Sequence, residues 1–367
     1  MKEEKYTCDI CHEEHDLSEL TYFDESYLCE DCLRRETFIC RDCGDRHWND
    51  DSADGDLCQT CYDEDYVRCE RCDAVIHYDD ACYHEDEEYH DHPYCRDCFD
   101  MDEIIHDYYY KPEPIFYGDG PRYLGVELEL DDGGENEFCA SKLLDIANAQ
   151  KEHMYIKHDG SLDDGFECVT HPMTLDYHIN QMPWRSILNK AVAKGYLSHQ
   201  AGTCGLHVHI SRNALGANYE EQEATIAKIL YFYEKFWNEI LTFSRRTESQ
   251  AEHWARRYGG GIINPKETLK HAKNSHMGRY AAVNLENEAT IEMRIFRGTL
   301  KYSTFIATLQ MVDEICKVAI SLSDEFMQGL TWLDFVKGIA DGKQELINYL
   351  KEKRLYVNEP IRNEVEI

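Results

Sequence analysis

Between residues 122 and 299 the chain alternates hydrophobic and polar positions in short bursts, and each burst predicts a strand with one buried face. In RYLGVELEL, residues 122–130, Leu124, Val126, Leu128 and Leu130 fall on one face, with Gly125, Glu127 and Glu129 on the other. MYIKHDGSLDDGFECVTHP, residues 154–172, reads as two short strands about a DGSL turn, with Phe166 and Cys168 inward and Glu167 opposite. TCGLHVHIS, residues 203–211, alternates His207 and His209 with Leu206, Val208 and Ile210. GRYAAVNLEN (278–287) and ATIEMRIFRGT (289–299) read as two consecutive strands, the second setting Ile291, Met293 and Ile295 against Glu292, Arg294 and Phe296. A period of 3.6 residues predicts helices over 137–150, 176–195, 219–244, 302–322 and 343–353. The stripe Ile226, Ile229, Leu230, Tyr233, Trp237, Ile240 and Leu241 in the third of these is core.

The polar faces carry Glu127, Glu129, Glu167, His207, His209, Asn284, Glu292 and Arg294. A solvated sheet face is normally decorated with mixed Thr, Lys, Glu and Gln, so a face this rich in ligand types points to a site. For the histidine strand alone two readings stand, a shared metal ligand or two hydrogen-bonded imidazoles on a half-exposed strand. The accompanying acids favour the first. Carboxylates suit Mg²⁺ or Mn²⁺ held partly by phosphate oxygens, and imidazole widens the choice toward Mn²⁺ or Zn²⁺. Arg294 and Arg297 are of the type that clamps phosphate or carboxylate bidentately, so the pattern indicates nucleotide-dependent chemistry. Cys204, beside the histidine strand, reads as packing. Arg245, Arg246, Arg256 and Arg257 with the GGG at 259–261 form a basic loop that either closes over substrate or lies on the surface.

The first hundred residues have a different texture. Of 17 cysteines, 13 fall between Cys8 and Cys98. Six CxxC knuckles are present: Cys8/Cys11, Cys29/Cys32, Cys40/Cys43, Cys58/Cys61, Cys69/Cys72 and Cys95/Cys98. They form three repeats, each opening with CxxC followed by a histidine (His15, His47, His77) and closing on YLCEDCL, DLCQTCY or PYCRDCF. First and second knuckles are separated by 17, 14 and 22 residues, which fits zinc-ribbon or treble-clef-like units holding about three Zn²⁺ per chain. Units of about thirty residues bury too little apolar surface to fold alone, whereas structural Zn²⁺ supplies on the order of 10–16 kcal/mol. Pairing within each repeat is preferred, although interleaved pairing between repeats fits the same spacing. The three histidines, like Cys82, His84, His90 and His92, are read as non-ligands. CDICH matches a haem-attachment pattern, but the five sister knuckles lack the following histidine.

Charge divides the chain in the same place. The formal net charge is −34, and residues 1–110 hold 35 Asp/Glu against 9 Lys/Arg. Such acidity disfavours nucleic acid and anionic membranes as partners and favours a basic protein surface. MKEEKYTCDI is polar, no apolar run reaches the roughly 18 residues of a membrane span, and paired CxxC units favour metal over disulfide, so a cytoplasmic protein is expected. Prolines and glycines in 102–121 mark a linker. The expected organisation is three zinc modules (1–36, 37–66, 67–101), the linker, and a catalytic domain over 122–367.

GVELEL, DGSL with FECVTHP, TCGLHVHIS, RYAAVNL and TIEMRIFRGTL, in that order, resemble the amidoligase family of the glutamine synthetase and glutamate–cysteine ligase superfamily. The resemblance covers about 122–300 and leaves out the cysteine modules. It implies an α+β fold whose antiparallel sheet, backed by helices, holds ATP and divalent ions on its concave face. It also implies ligation, in which ATP activates a carboxylate as an acyl phosphate and an amine displaces phosphate to give an amide. Carried over position by position, Glu127, Glu129, Glu167, His209 and Glu292 would ligate Mg²⁺ or Mn²⁺, with His207 beside nucleotide or substrate. Arg294 and Arg297 would neutralise the transferring phosphoryl group, while Asn284 and Asp159 would serve the nucleotide, the substrate or a turn. The carboxylate and amine substrates, whether amino acid, peptide or protein, are not readable, and the zinc modules would select or tether a partner. Two rival readings are a metal-dependent hydrolase and a non-enzymatic acidic zinc-finger adaptor or decoy on a degenerate ligase fold. Consecutive strands at 278–299 argue against a barrel hydrolase, and the complete acid and histidine set argues against degeneracy.

Overall fold

The computed structural model describes residues 5–83, 92–99, 103–259, 264–275 and 277–356. His84, His90 and the second and third glycines of the GGG run lie outside them. The chain divides into two compact units, Met1–Asp102 and Glu103–Ile367.

The first unit repeats one plan. Lys5–Thr7 and Glu14–Asp16 form a hairpin around the first knuckle, Leu20–Phe23 and Ser26–Cys29 form a second, and the helix Glu30–Glu36 carries Cys32. Thr37–Ile39 with Arg46–Trp48, then Ser52–Asp54 with Leu57–Cys58 and the helix Gln59–Asp65, repeat it. The third copy pairs Tyr66–Arg68 with Val75–His77 and ends on the helix Arg96–Phe99. The sulfur atoms gather as Cys8/11/29/32, Cys40/43/58/61 and Cys69/72/95/98, each set within 4.8 Å of one another, which settles the pairing as sequential. These three sets could hold zinc. Backbone N–H groups already point at their sulfurs, Cys29 to Cys8 and Cys58 to Cys40, each at 3.4 Å. Against the upward push of burial, such donors pull the Cys8 and Cys40 thiols down to about 6, as a thiolate ligand requires. His15, His47 and His77 stand on the first hairpin of each copy, outside the four-sulfur sets. Cys82 also lies outside them, in a backbone bridge with Tyr94.

In the second unit the alternation folds into one seven-stranded sheet. Its strands are β1 (Ile105–His106), β2 (Leu124–Leu130), β3 (Met154–Lys157), β4 (Phe166–Thr170), β5 (Leu206–Ser211), β6 (Val283–Asn284) and β7 (Thr290–Met293). They lie in the order β1-β3-β4-β2-β5-β7-β6, antiparallel except for the parallel β1–β3 pair. The unit's described helices of eight or more residues are α1 (Glu137–Ala147), α2 (Trp184–Ala193), α3 (Tyr219–Lys235), α4 (Trp237–Ser244), α5 (Pro265–Asn274), α6 (Tyr302–Ser321) and α7 (Gln344–Glu352). The aliphatic faces of β2, β5 and β7 share a single core with Leu143, Trp184, Ile229 and Phe305 of the helices. The opposite face of the sheet is left to the polar residues.

The structure differs from the sequence reading at five stretches. The 176–195 helix is two, Leu175–Asn180 and α2, because Pro183 lacks the N–H a continuous helix needs. The 219–244 helix breaks at Phe236, whose non-helical backbone lets its ring pack against Phe232 and Trp332 at 4.9 and 5.5 Å. The 278–287 strand shrinks to β6, since Gly278–Tyr280 is a single 3-10 turn entered at positive φ, and the 289–299 strand keeps only β7. The stretch read as a linker supplies β1, and Tyr117 N–H donates to Pro172 O at 3.0 Å, so this strap is pinned to the sheet. Among the described residues no helix is long and apolar enough to cross a membrane.

Candidate active site

Strand register brings the polar positions together. Glu127 of β2 is paired with His207 of β5 on one side and Val169 of β4 on the other, and Glu129 stands opposite Glu167. Gly125 pairs with His209, which faces Glu292 of β7, and Glu292 in turn faces Asn284 of β6. Because neighbouring strands lie about 4.8 Å apart, residues in such a row meet side chain to side chain. The result is one wall of a cavity of about 810 Å³.

His207, 4% exposed, sits among three carboxylates: Glu127 Oε2 at 3.3 Å, Glu129 Oε1 at 3.6 Å and Glu292 Oε1 at 3.6 Å. His209 Nε2 stands 3.0 Å from Glu127 Oε1, outside hydrogen-bond alignment, and its Nδ1 lies 3.3 Å from Thr290 Oγ1. Asn284 Nδ2 donates to Glu292 Oε2 at 2.8 Å, and the Arg294 guanidinium donates to Glu292 Oε1. Lys157, not singled out from the sequence, places Nζ 3.0 Å from Glu167 Oε2. Strand register puts it opposite Glu167, a pairing that alternation alone does not reveal. Gly205 is required by close approach, because a side chain there would collide with the His207 ring, and its N–H donates to Glu129.

The electrostatics separate the acids. Burial works against ionising Glu127, but His209 and His207 hold it well below the usual carboxylate range. Burial pushes Glu167 well above that range, and the neighbouring Glu127 charge adds to the push against the pull of Lys157. Glu129 is raised by burial. His209 is raised because Glu127 outweighs its desolvation. A cluster in which acids oppose one another this strongly in a buried wall is the usual signature of a functional centre.

Glu127, His207 and Glu292 offer ligand atoms within 4.8 Å of one another. The buried atoms Glu167 Oε2 and His209 Nε2 make no aligned hydrogen bond and instead face Lys157 Nζ and Glu127 Oε1, each at 3.0 Å. An oxygen-rich set with one or two imidazoles fits a hard divalent ion such as Mg²⁺ or Mn²⁺. His207, expected beside nucleotide or substrate, is one of this trio, and His209 lies 3.0 Å from its Glu127.

Glu127, Glu129, Glu167, His207, His209, Asn284, Glu292 and Arg294 all line the cavity, as does Asp159, whose carboxylate accepts from Ser161 N and Oγ. Arg297 is not among the lining residues. It lies beyond the end of β7, where its backbone bridges Gly205 and its N–H donates to Ser244 O. Besides Arg294 the cavity is lined by Arg279 and by Arg246, the latter from the basic loop, buried and bonded through Nε to Ile295 O at 3.1 Å. Cys204 does not line the cavity, and burial pushes its thiol up to about 12, in keeping with packing. Asp131 was overlooked; it accepts from Thr203 Oγ1 at 2.6 Å and Asp164 N at 2.7 Å, clamping the β2 exit to the turn before β4.

A comparison with curated proteins finds no match. Residues 145–316 match the family model described as "Putative amidoligase enzyme", a span that holds β4 to β7 of the site and begins after the strand bearing Glu127 and Glu129. At the level of family likeness, this half of the chain is similar to a ligase that makes amide bonds.

Proposed function

We propose that the second unit is an ATP-dependent carboxylate–amine ligase. The observation that carries this reading is the row of buried acids and imidazoles, in register across β4, β2, β5 and β7, with Arg294 at its edge. ATP with Mg²⁺ or Mn²⁺ would supply the phosphoryl group that turns a carboxylate into an acyl group an amine can attack. Glu127, His207 and Glu292 would hold the cation, with Glu129, Glu167 and His209 completing the wall.

The remaining side chains have definable tasks. Arg294, fixed by Glu292, and Arg246, fixed by Ile295 O, both line the cavity and bring positive charge to it. There they are pre-organised for phosphate oxygens and need no rearrangement as charge develops. Lys157 neutralises Glu167 and can equally orient an incoming carboxylate. Glu167, whose raised value makes its ionised form a stronger base than an ordinary carboxylate, would as the carboxylate take the proton that the attacking ammonium loses. Asn284 fixes the carboxylate of Glu292. The cysteine modules, with their strong negative charge, would tether a basic protein partner.

The test is incubation of the zinc-loaded protein with ATP, Mg²⁺ or Mn²⁺ and pooled amino acids or cell extract, following ADP and new amide-linked masses. ADP above a Glu127→Gln control supports the ligase. No ADP above that control in any pool sinks it, and phosphate-free hydrolysis would favour the hydrolase reading instead.

A further inference from the structure

The cavity does not end at the acid and histidine wall. A second trough of about 900 Å³ continues from it, and both are lined by Phe116, Ser211, Glu286, Glu288 and Ala289. The first cavity alone has the volume, roughly 300–1,000 Å³, of a site that encloses a whole small ligand. A nucleotide and a free amino acid would therefore be accommodated without the second trough.

The chemistry of the trough narrows what fills it. Its wall runs along the start of α3 and the end of α5. Tyr219 is 67% exposed, and Lys273 stands over its ring at 5.8 Å. Arg212 lies 3.6 Å from Glu223, and Lys273 also pairs with Glu223. With Glu286 and Glu288 at the junction, carboxylates outnumber cations, so no phosphate backbone would be drawn in. Gln222 and Asn213 add amides, while Phe116 and Leu285 add apolar surface. Amides and paired charges beside scattered apolar contacts are the complement of an extended polypeptide, which offers a backbone donor and acceptor at each residue.

We infer that the substrate of this unit is an extended polypeptide segment that lies in the trough and passes its reacting side chain or terminus over Ser211 and Ala289 to the acid and histidine wall. The inference rests on the ligase reading for what happens at that wall, but the binding it requires is separate.

The experiment therefore begins without ATP. Full-length zinc-loaded protein is titrated into positional sub-libraries of capped, fluorescein-labelled octapeptides, and polarisation is read. Saturable binding by at least one sub-library is expected, weakened about tenfold or more by Ala289→Trp at the junction and by Lys273→Glu on the trough wall, with melting temperatures unchanged. Lys273 is exposed, so its variant remains informative if Ala289→Trp fails to fold. No saturable binding, or binding indifferent to the folded variants, overturns the inference. With ATP and Mn²⁺ added, the selected peptide should accelerate ADP release where free amino acids at equal concentration do not. Free amino acids that serve as well as the peptide also overturn it. Absence of ADP with every substrate sinks the ligase reading and leaves polarisation to decide whether the trough holds a polypeptide.

Discussion

At the scale of single residues, the site depends on atoms that cannot be moved far. Gly205 makes room for the His207 ring and gives its N–H to Glu129. Gly205→Ala is expected to displace His207 and lower turnover by about 100-fold, the usual effect of an ångström-scale misplacement. A ligand-independent melting temperature close to wild type would show that the loss is local. Glu127→Gln removes the carboxylate that faces both imidazoles and should cost at least ~100-fold in ADP formation. Arg297→Ala, whose side chain does not line the cavity, should change ADP formation less than Arg246→Ala does. Equal losses would return Arg297 to the site.

Among elements, two contacts fix the second unit. Asp313 of α6 takes both Arg122 Nε and a terminal nitrogen, at 2.8 and 2.6 Å, and Lys343 Nζ at 2.5 Å, tying the entry to β2 and the approach to α7 onto one helix. Burial pushes this carboxyl up, but Lys343 and Arg122 outweigh it and hold the group below its ordinary value. A depressed folded value means that the stabilisation is complete above the unfolded carboxylate value of about 3.9 and disappears as pH falls through the folded one. Asp313→Asn leaves Arg122 facing a neutral amide and Lys343 with Glu314 alone, and should cost about 3 kcal/mol at neutral pH by denaturant unfolding. The difference from wild type should shrink as the titration is repeated toward pH 3. The 103–123 strap belongs to this scale too. It places Tyr108 between the Arg279 guanidinium, which donates to its hydroxyl, and Lys157, 5.5 Å from its ring.

Over the whole molecule, metal and charge divide the chain. Zinc analysis is expected to return about three ions per chain, one for each four-sulfur set. A strong chelator should abolish the near-ultraviolet signal and protease resistance of residues 1–102 while the unfolding midpoint of residues 103–367 stays in place. Loss of both together would show that the second unit depends on zinc.

The alternation of the chain fixed which residues share a face, because a strand sends successive side chains to opposite sides whatever it pairs with. Glu127, Glu129, Glu167, His207, His209 and Glu292 were legible for that reason. So were the cysteine sets, since a CxxC knuckle turns both of its sulfurs toward one point. Register was not legible, since it depends on which strands become neighbours and by how many residues they are offset. Only the tertiary structure put His207 among three carboxylates, turned Lys157 toward Glu167 and left Arg297 out of the cavity lining while bringing Arg246 into it. A segment rich in proline and tyrosine looked like a linker because it has no period of its own. Its role as the cavity's strap arises from a two-residue parallel pairing and a few backbone bonds, which leave no repeating pattern in a sequence.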